Sequence, residues 1–287
     1  MIPAEFEYVA PDSLSAAVSA LSEGGEDAKV LAGGQSLLPV LRLRLAYPSL
    51  LVDLRKVEEL HGVREDGGEL VIGAMTRHSD VVQNPLVRQH AALVAEATAT
   101  VADPAVRHRG TFGGALAHAD PAGDLAAVAL ALDASFVAEG PGGRRTIAAS
   151  DFFRDYLETA LSPDELLVEV RIPKLEGTWG VRYEKFNRVA QAWAIVGVAA
   201  AVRRDGGSIA EARVGLTNMG STPVRATAVE QALAGASAED GAIRSAAQSA
   251  ADGTSPPSDL NGKADYRQHL ARVLTARAVR AAAGVAS

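Results

Sequence analysis

The sequence predicts an α+β protein built from a small α/β unit, a region of mixed strands and helices, and an antiparallel meander followed by helices. Three observations predict it. Helix-period and strand-like apolar runs both occur within the first 55 residues. Strands and helices then mix as far as Pro173. Beyond Gly180, three strand-length runs follow one another before a helical pattern resumes, the order expected of an α+β module. At 287 residues the chain has room for two domains, with one or three still open, and the shifts of pattern divide it at 1–55, 56–177 and 178–287.

In the first segment, Asp12 or Ser13 can cap a helix in which Leu14, Ala17, Val18 and Leu21 recur at i, i+3, i+4 and i+7. Residues 29–31 read as a short strand that ends abruptly in Ala32-Gly33-Gly34-Gln35-Ser36, and 50–53 read as a buried strand. In the second segment, a strand over 69–74 follows the Asp66-Gly67-Gly68 turn, and the Ala- and Leu-rich stretch 87–102 reads as a helix stopped by Asp103-Pro104. After the Gly-rich stretch 110–124, a short apolar helix is expected over 125–132. Strands 136–138 and 144–147 flank Gly140-Pro141-Gly142-Gly143 as a hairpin, and 166–172 form a strand ended by Pro173. The third segment holds strands over 180–187, 194–203 and 208–217, the last two joined at Asp205-Gly206-Gly207. Helices are expected over 225–233, 239–251 and 264–283.

Composition removes several classes of function. There is no cysteine, so the chain can hold no disulfide, thiolate nucleophile, Cys-ligated zinc or Cys-ligated iron–sulfur cluster, and redox chemistry here needs an organic cofactor. A net charge of −7 argues against a nucleic-acid partner, which needs a clustered basic face. The opening residues lack the basic-then-apolar layout of a signal peptide, and no apolar run reaches the roughly 18 residues of a membrane span. A soluble, cytoplasmic protein is expected.

Two Gly-rich turns are the candidates for chemistry. In Leu31-Ala32-Gly33-Gly34-Gln35-Ser36-Leu37, adjacent glycines directly after a strand allow a sharp bend that turns backbone N–H groups onto an anion such as pyrophosphate. The alternative is a tight turn with nothing bound. The second, Arg109-Gly110-Thr111-Phe112-Gly113-Gly114-Ala115, is followed by His118-Ala119-Asp120-Pro121-Ala122-Gly123-Asp124. Two such turns in one acidic chain fit a long ligand held between two small lobes. Neither is a G-x-G-x-x-G fingerprint or a Walker A loop, and no Gly-x-Ser-x-Gly elbow is present. The pairs Glu58-Glu59, Glu239-Asp240 and Asp151/Asp155 read as solvated faces, and the histidines show no metal-ligand spacing, so neither catalytic residues nor a metal site are assigned.

Taken with Pro121-Ala122-Gly123-Asp124, Glu165-Leu166-Leu167 before Arg171-Ile172-Pro173, Tyr183-Glu184-Lys185 and Gly215-Leu216-Thr217-Asn218, these turns resemble the FAD-binding medium subunits of the molybdenum hydroxylase (xanthine dehydrogenase) family, nearest to its aerobic carbon monoxide dehydrogenase members. The resemblance spans essentially the whole chain. It implies a two-lobed FAD-binding domain of the PCMH (vanillyl-alcohol-oxidase-like) type followed by an α+β C-terminal domain. It further implies that residues 32–36 and 111–115 wrap the FAD pyrophosphate with backbone N–H groups, with Leu31, Leu37 and Gly110 alongside. Asp124 would hydrogen-bond the sugar or adenine side, with Asp120 and Ala117 as secondary contacts. Ala102 would approach the adenosine, Leu167 would pack on the dimethylbenzene or adenine surroundings, and Lys185 would stand at a polar edge of the cofactor. Trp193 would lie by the isoalloxazine and limit acceptor access, the alternative being a Trp packed in the strand that follows it. Gln35 stands where many members have His, and His118 where they often have Asn.

The role implied is electron transfer. A molybdenum-cofactor large subunit would oxidise substrate, a small subunit with two [2Fe–2S] clusters would relay electrons here, and quinone or another acceptor would receive them. The expected assembly is a heterotrimer that dimerises, docked in part through the C-terminal module, with peripheral membrane association through the complex. Carbon monoxide is the first choice of substrate; an N-heterocycle, aldehyde or purine is the alternative within the family. A stand-alone FAD oxidoreductase and a scaffold that has lost its cofactor are the readings from other classes.

Overall fold

A computed structural model describes residues 2–285. Among them, no helix is long and apolar enough to cross a membrane. The chain begins with β1 (Glu7–Val9), α1 (Leu14–Gly24), β2 (Ala28–Leu31), α2 (Leu37–Arg42) and β3 (Leu50–Asp53). These strands form a parallel sheet in the order β1-β3-β2. The i, i+3, i+4, i+7 residues of α1 are those it buries, and Ser13 Oγ accepts from Ala16 N at 3.3 Å, satisfying one of the free N–H groups of the first turn.

The middle of the chain comprises β4 (Val63–Asp66), β5 (Glu69–Gly73), α3 (His78–Gln83), α4 (Pro85–His90), α5 (Ala92–Ala99), α6 (Pro104–Arg109), α7 (Phe112–His118) and α8 (Asp124–Ala131). It continues with β6 (Ser135–Gly140), β7 (Gly143–Ala148), α9 (Ala149–Phe152), β8 (Phe153–Asp155), β9 (Glu158–Thr159) and β10 (Leu166–Pro173). A five-stranded antiparallel sheet runs β4-β5-β10-β6-β7. Its central strand, β10, is covered on both faces: Leu166 and Val168 enter the core under α1, while Leu167, Val170 and Ile172 enter the core under the helices. A bulge between Leu167 and Glu169 adjusts the register against β6.

The last part is a four-stranded antiparallel sheet of β11 (Trp179–Phe186), β12 (Val196–Asp205), β13 (Ser208–Thr217) and β14 (Val224–Arg225). It is followed by α10 (Thr227–Leu233), α11 (Asp240–Ala246) and α12 (Ala264–Ala282), with α12 packed on β11 and β12. The α+β expectation therefore holds, with three corrections. The expected helix 87–102 is broken at Ala91 (φ −143, ψ 51) into α4 and α5. The Gly-rich stretch after Gly110 is mostly helix α7: Thr111 Oγ1 caps it by accepting from Gly114 N at 3.2 Å, and its glycines let it lie against neighbouring backbone. The second strand of the third segment, expected over 194–203, is β12 over Val196–Asp205, so Trp193 stands two residues further from the sheet than expected.

Candidate cofactor site

β2 ends at Leu31 and the chain bends through residues 32–36 into α2. Gly34 sits at φ +71, a left-handed conformation that strains any residue with a Cβ. The first helix-type bond after the bend runs from Leu38 N to Gly34 O at 3.1 Å. The N–H groups of residues 33–37 therefore have no acceptor among the described residues. Successive free N–H groups on one bend form a concave donor set that suits an anion. Gln35 is exposed and its Nε2 donates to Gly33 O at 3.2 Å, while the Ser36 side chain caps nothing in α2.

The second turn is built differently. Phe112 N donates to Thr76 O and Gly113 N to Ala74 O, both at 2.8 Å, and Ala115 N donates to Thr111 O at 3.1 Å. With Gly114 N on Thr111 Oγ1, only Thr111 N in this turn lacks an acceptor among the described residues. The expectation that both turns offer N–H groups to pyrophosphate thus divides. The first turn has open donors; the second turn's are held by the end of β5 and by its own helix. What the second turn supplies is closeness. A Cβ built on Gly33 would lie 2.4 Å from Arg109 O, 2.7 Å from Gly110 Cα and 2.9 Å from Thr111 N, so the two turns touch backbone to backbone. On the far side, a Cβ on Gly113 would lie 2.4 Å from Ala74 Cβ. Open donors on the first turn, pressed backbone to backbone against the second, fit a phosphate-bearing cofactor such as FAD.

The other expected residues fall into two sets. Asp120 and Ala117 stay half-buried beside the second turn, as do Ala102 and His118. Asp120 Oδ1 accepts from Ala122 N at 2.9 Å, and Pro121 O accepts from Asn218 N at 2.8 Å, which pins this loop to the end of β13. Ala102 has a left-handed backbone (φ +43), and its carbonyl accepts from Arg107 Nη1 at 3.3 Å. Leu167, by contrast, is a core residue, and Asp124 and Lys185 are joined to each other: Lys185 Nζ lies 2.8 Å from Asp124 Oδ2, with side chains only 6% and 3% exposed. Tyr183 OH donates to Asp124 Oδ1 at 2.7 Å. Burial pushes the Asp124 carboxyl up, opposed by Lys185 and Tyr183, and burial beside Asp124 pushes the Tyr183 phenol well up. Trp193 is 53% exposed, and its ring edge is 3.9 Å from where a Cβ on Gly123 would stand, so it is not packed in a strand.

Sequence reasoning gave no role to two residues at this junction. Arg109 lends its backbone carbonyl to the Gly33 contact, a role that leaves no signal in side-chain type. His78 is buried at the start of α3: its N donates to Gly110 O at 2.9 Å, and its ring lies against Gly110. Its Nδ1 has no partner among the described residues. Burial, with Arg107 nearby, pushes the imidazole down to about 4. A lowered folded pKa means that the unfolded chain binds the proton first, so stability is complete above pH 6.5 and falls as pH drops from there towards 4. The shift corresponds to about 3 kcal/mol across that window. His78→Leu is therefore expected to flatten the acid limb of melting temperature against pH between about 6.5 and 4. An unchanged limb would assign it to other groups.

Comparison with known proteins points to the same cofactor. The sequence profile of the FAD binding domain in molybdopterin dehydrogenase matches residues 4–175, and that of the CO dehydrogenase flavoprotein C-terminal domain matches 181–282. The carbon monoxide dehydrogenase medium chain of Hydrogenophaga pseudoflava is 43% identical over 282 residues, covering 98% of each chain. Among solved structures, reconstituted CO dehydrogenase from Oligotropha carboxidovorans superposes with a TM-score of 0.97 at 38% identity over 100% of both chains. Quinoline 2-oxidoreductase from Pseudomonas putida 86 gives 0.95 at 35% identity over 99% of both.

Proposed function

This chain belongs to the FAD-binding medium subunits of molybdenum hydroxylases of the carbon monoxide dehydrogenase type, and from that premise we propose that it is the electron-transfer subunit of such a complex, standing between an iron–sulfur small subunit and an external acceptor. The observation that carries the reading is the open donor set of residues 33–37 pressed against the second turn. When bound, FAD supplies single-electron uptake and two-electron delivery. The residues of this chain bind and orient it. The N–H groups of 33–37 take the pyrophosphate, Ser36 and Gln35 add side-chain donors, Gly110, Thr111 and Gly114 set the distance between the turns, and Gly113 seats the second turn against Ala74. Asp124 and Lys185 hold each other and brace α8 against β11 beneath the adenosine side, with Leu167 behind them and Ala102 near the rim. Trp193 flanks the isoalloxazine and restricts what reaches it. The lobes of this site are residues 1–55 and 56–177, and 178–287 form the third unit.

The absence of cysteine supports a separate iron–sulfur subunit, since this chain has no ligands for such clusters. Carbon monoxide is the proposed substrate of the assembly, on the relatives' names and identities. The 0.95 superposition on quinoline 2-oxidoreductase favours one further reading, the same role with an N-heterocycle, because substrate choice lies in the large subunit. The test is to purify the chain with its large and small subunits and count released flavin by chromatography. One FAD per chain is expected, and none after reconstitution with excess FAD overturns the site. Trp193→Ala should keep that FAD and change the flavin potential or the acceptor rate; no change in either would return Trp193 to a surface role.

A further inference from the structure

The loop between α5 and α6 turns on a residue poorly suited to it. Ala102 sits at φ +43, in the left-handed region, where a Cβ crowds the carbonyl that follows and only glycine escapes the cost. Pro104 confines Asp103 before it to extended backbone (φ −123, ψ 174), so the change of direction falls on Ala102. We propose that Arg107 is a positioning residue for the adenosine half of the cofactor; this rests on the FAD reading above. By binding the carbonyls of Val101 and Ala102 it holds Ala102 in its left-handed conformation, and so sets the preference for FAD over FMN.

Arg107 Nη1 donates to Val101 O at 2.7 Å and to Ala102 O at 3.3 Å, from a side chain half-buried in α6. Hydrogen bonds from a guanidinium are charge-assisted, so one such donor can keep two successive carbonyls on the same side of a loop. The ends of the loop are tied by other groups. Lys185 Nζ donates to Thr100 O at 3.1 Å, Asp103 Oδ1 accepts from Val106 N at 2.8 Å, and Gln191 Nε2 donates to Asp103 Oδ2 at 2.6 Å. None of these reaches the strained residue itself. Among the described residues, Arg107 alone binds the carbonyls of Val101 and Ala102. A strained residue persists where its surroundings over-determine it, and here one side chain does so.

With both carbonyls drawn to Arg107, the N–H groups of Ala102 and Asp103 have no acceptor among the described residues. They make two successive donors on a half-buried loop, a pair that calls for an outside partner. Adenine ring nitrogens and ribose oxygens accept hydrogen bonds, so donors of this kind suit the adenosine half of FAD. FMN ends at its single phosphate and offers them nothing. The position of the loop agrees with this. The Lys185 ammonium that binds Thr100 O also holds Asp124, the pair placed beneath the adenosine side. If Arg107 lets go, Ala102 relaxes towards ordinary backbone, both N–H groups swing away, and the turn that takes the pyrophosphate stays as it was.

The experiment strips flavin from the complex of this chain with its large and small subunits. FAD and, separately, FMN are then titrated back, and free flavin is read in the filtrate after ultrafiltration. Arg107→Met is expected to weaken FAD about tenfold and FMN by less than about twofold. Adding Ala102→Gly should bring FAD back to within about threefold of the parent, because glycine takes a positive φ without a clamp. Equal losses of FAD and FMN would make Arg107 a general support of the fold and overturn the proposal. A double variant that binds FAD no better than the single would overturn it too. Should Arg107→Met alone fail to fold, the double variant decides: parent-like preference for FAD over FMN supports the clamp, and loss of that preference overturns it. A parent complex that takes up no FAD sinks the cofactor reading and this inference with it, whereas normal FAD affinity in Arg107→Met sinks this inference alone.

Discussion

Gly33→Val is expected to remove FAD from the chain while leaving the fold in place. The first atom of any side chain at this position would stand 2.4 Å from Arg109 O and within 3 Å of Gly110 Cα and Thr111 N. All three are backbone, so no flexible side chain can swing aside, and the two turns must separate. Separation tilts the free N–H groups of residues 33–37 away from the anion they would share. Overpacking of this kind costs about 1–3 kcal/mol of stability. The effect on the cofactor is larger, a fall of at least tenfold in FAD per chain, because several donors lose their geometry together. Gly68→Val is the control: its Cβ would meet nothing within 4 Å, and it should keep both FAD and melting temperature. If Gly33→Val retained one FAD per chain, residues 32–36 would not be the cofactor turn.

That turn was legible because its signal is local: a short strand, two glycines and polar donors lie within eight consecutive residues. The helix α1 and the β12–β13 hairpin were legible for the same reason, one through its 3.6-residue period and the other through Asp205-Gly206-Gly207. The second turn was visible as a motif, but its task was not. Its N–H groups are taken by Ala74 and Thr76, whose closeness to Phe112 and Gly113 is decided by the fold. β1 escaped notice because a three-residue strand, exposed throughout, pairs with a β3 more than forty residues on. Helix α7 contradicts the low helix propensity of its glycines, about 1 kcal/mol each relative to Ala, because a larger residue at Gly113 would strike Ala74. His78 and the Asp124–Lys185 pair carry no local signature at all. One is a lone histidine, and the other joins residues 61 positions apart.

That pair gives the second large effect. Lys185→Met is expected to destabilise the chain by about 3–5 kcal/mol at neutral pH, the usual cost of leaving one charge of a buried pair behind. Asp124 would keep the Tyr183 hydroxyl as a donor but lose the ammonium at 2.8 Å. Burial already raises this carboxyl above the ordinary range, and losing the cation raises it further. A raised folded pKa means that the folded state holds the proton more tightly than the unfolded chain. Stability is then greatest below the ordinary carboxylate pKa and is lost as pH rises through the folded value. The deficit of Lys185→Met relative to the parent should therefore be largest near neutrality and shrink towards pH about 4, where Asp124 is protonated. Urea unfolding at the two ends of that range measures it. The double variant Asp124→Leu, Lys185→Met removes both charges and should recover most of the loss, which distinguishes an abandoned charge from simple loss of packing. A deficit equal at both pH values, or a double variant no more stable than the single, would show that the two side chains act as filler and not as a charge pair. In that case something other than their ion pair braces α8 against β11, and the adenosine side of the site would owe its shape to packing alone.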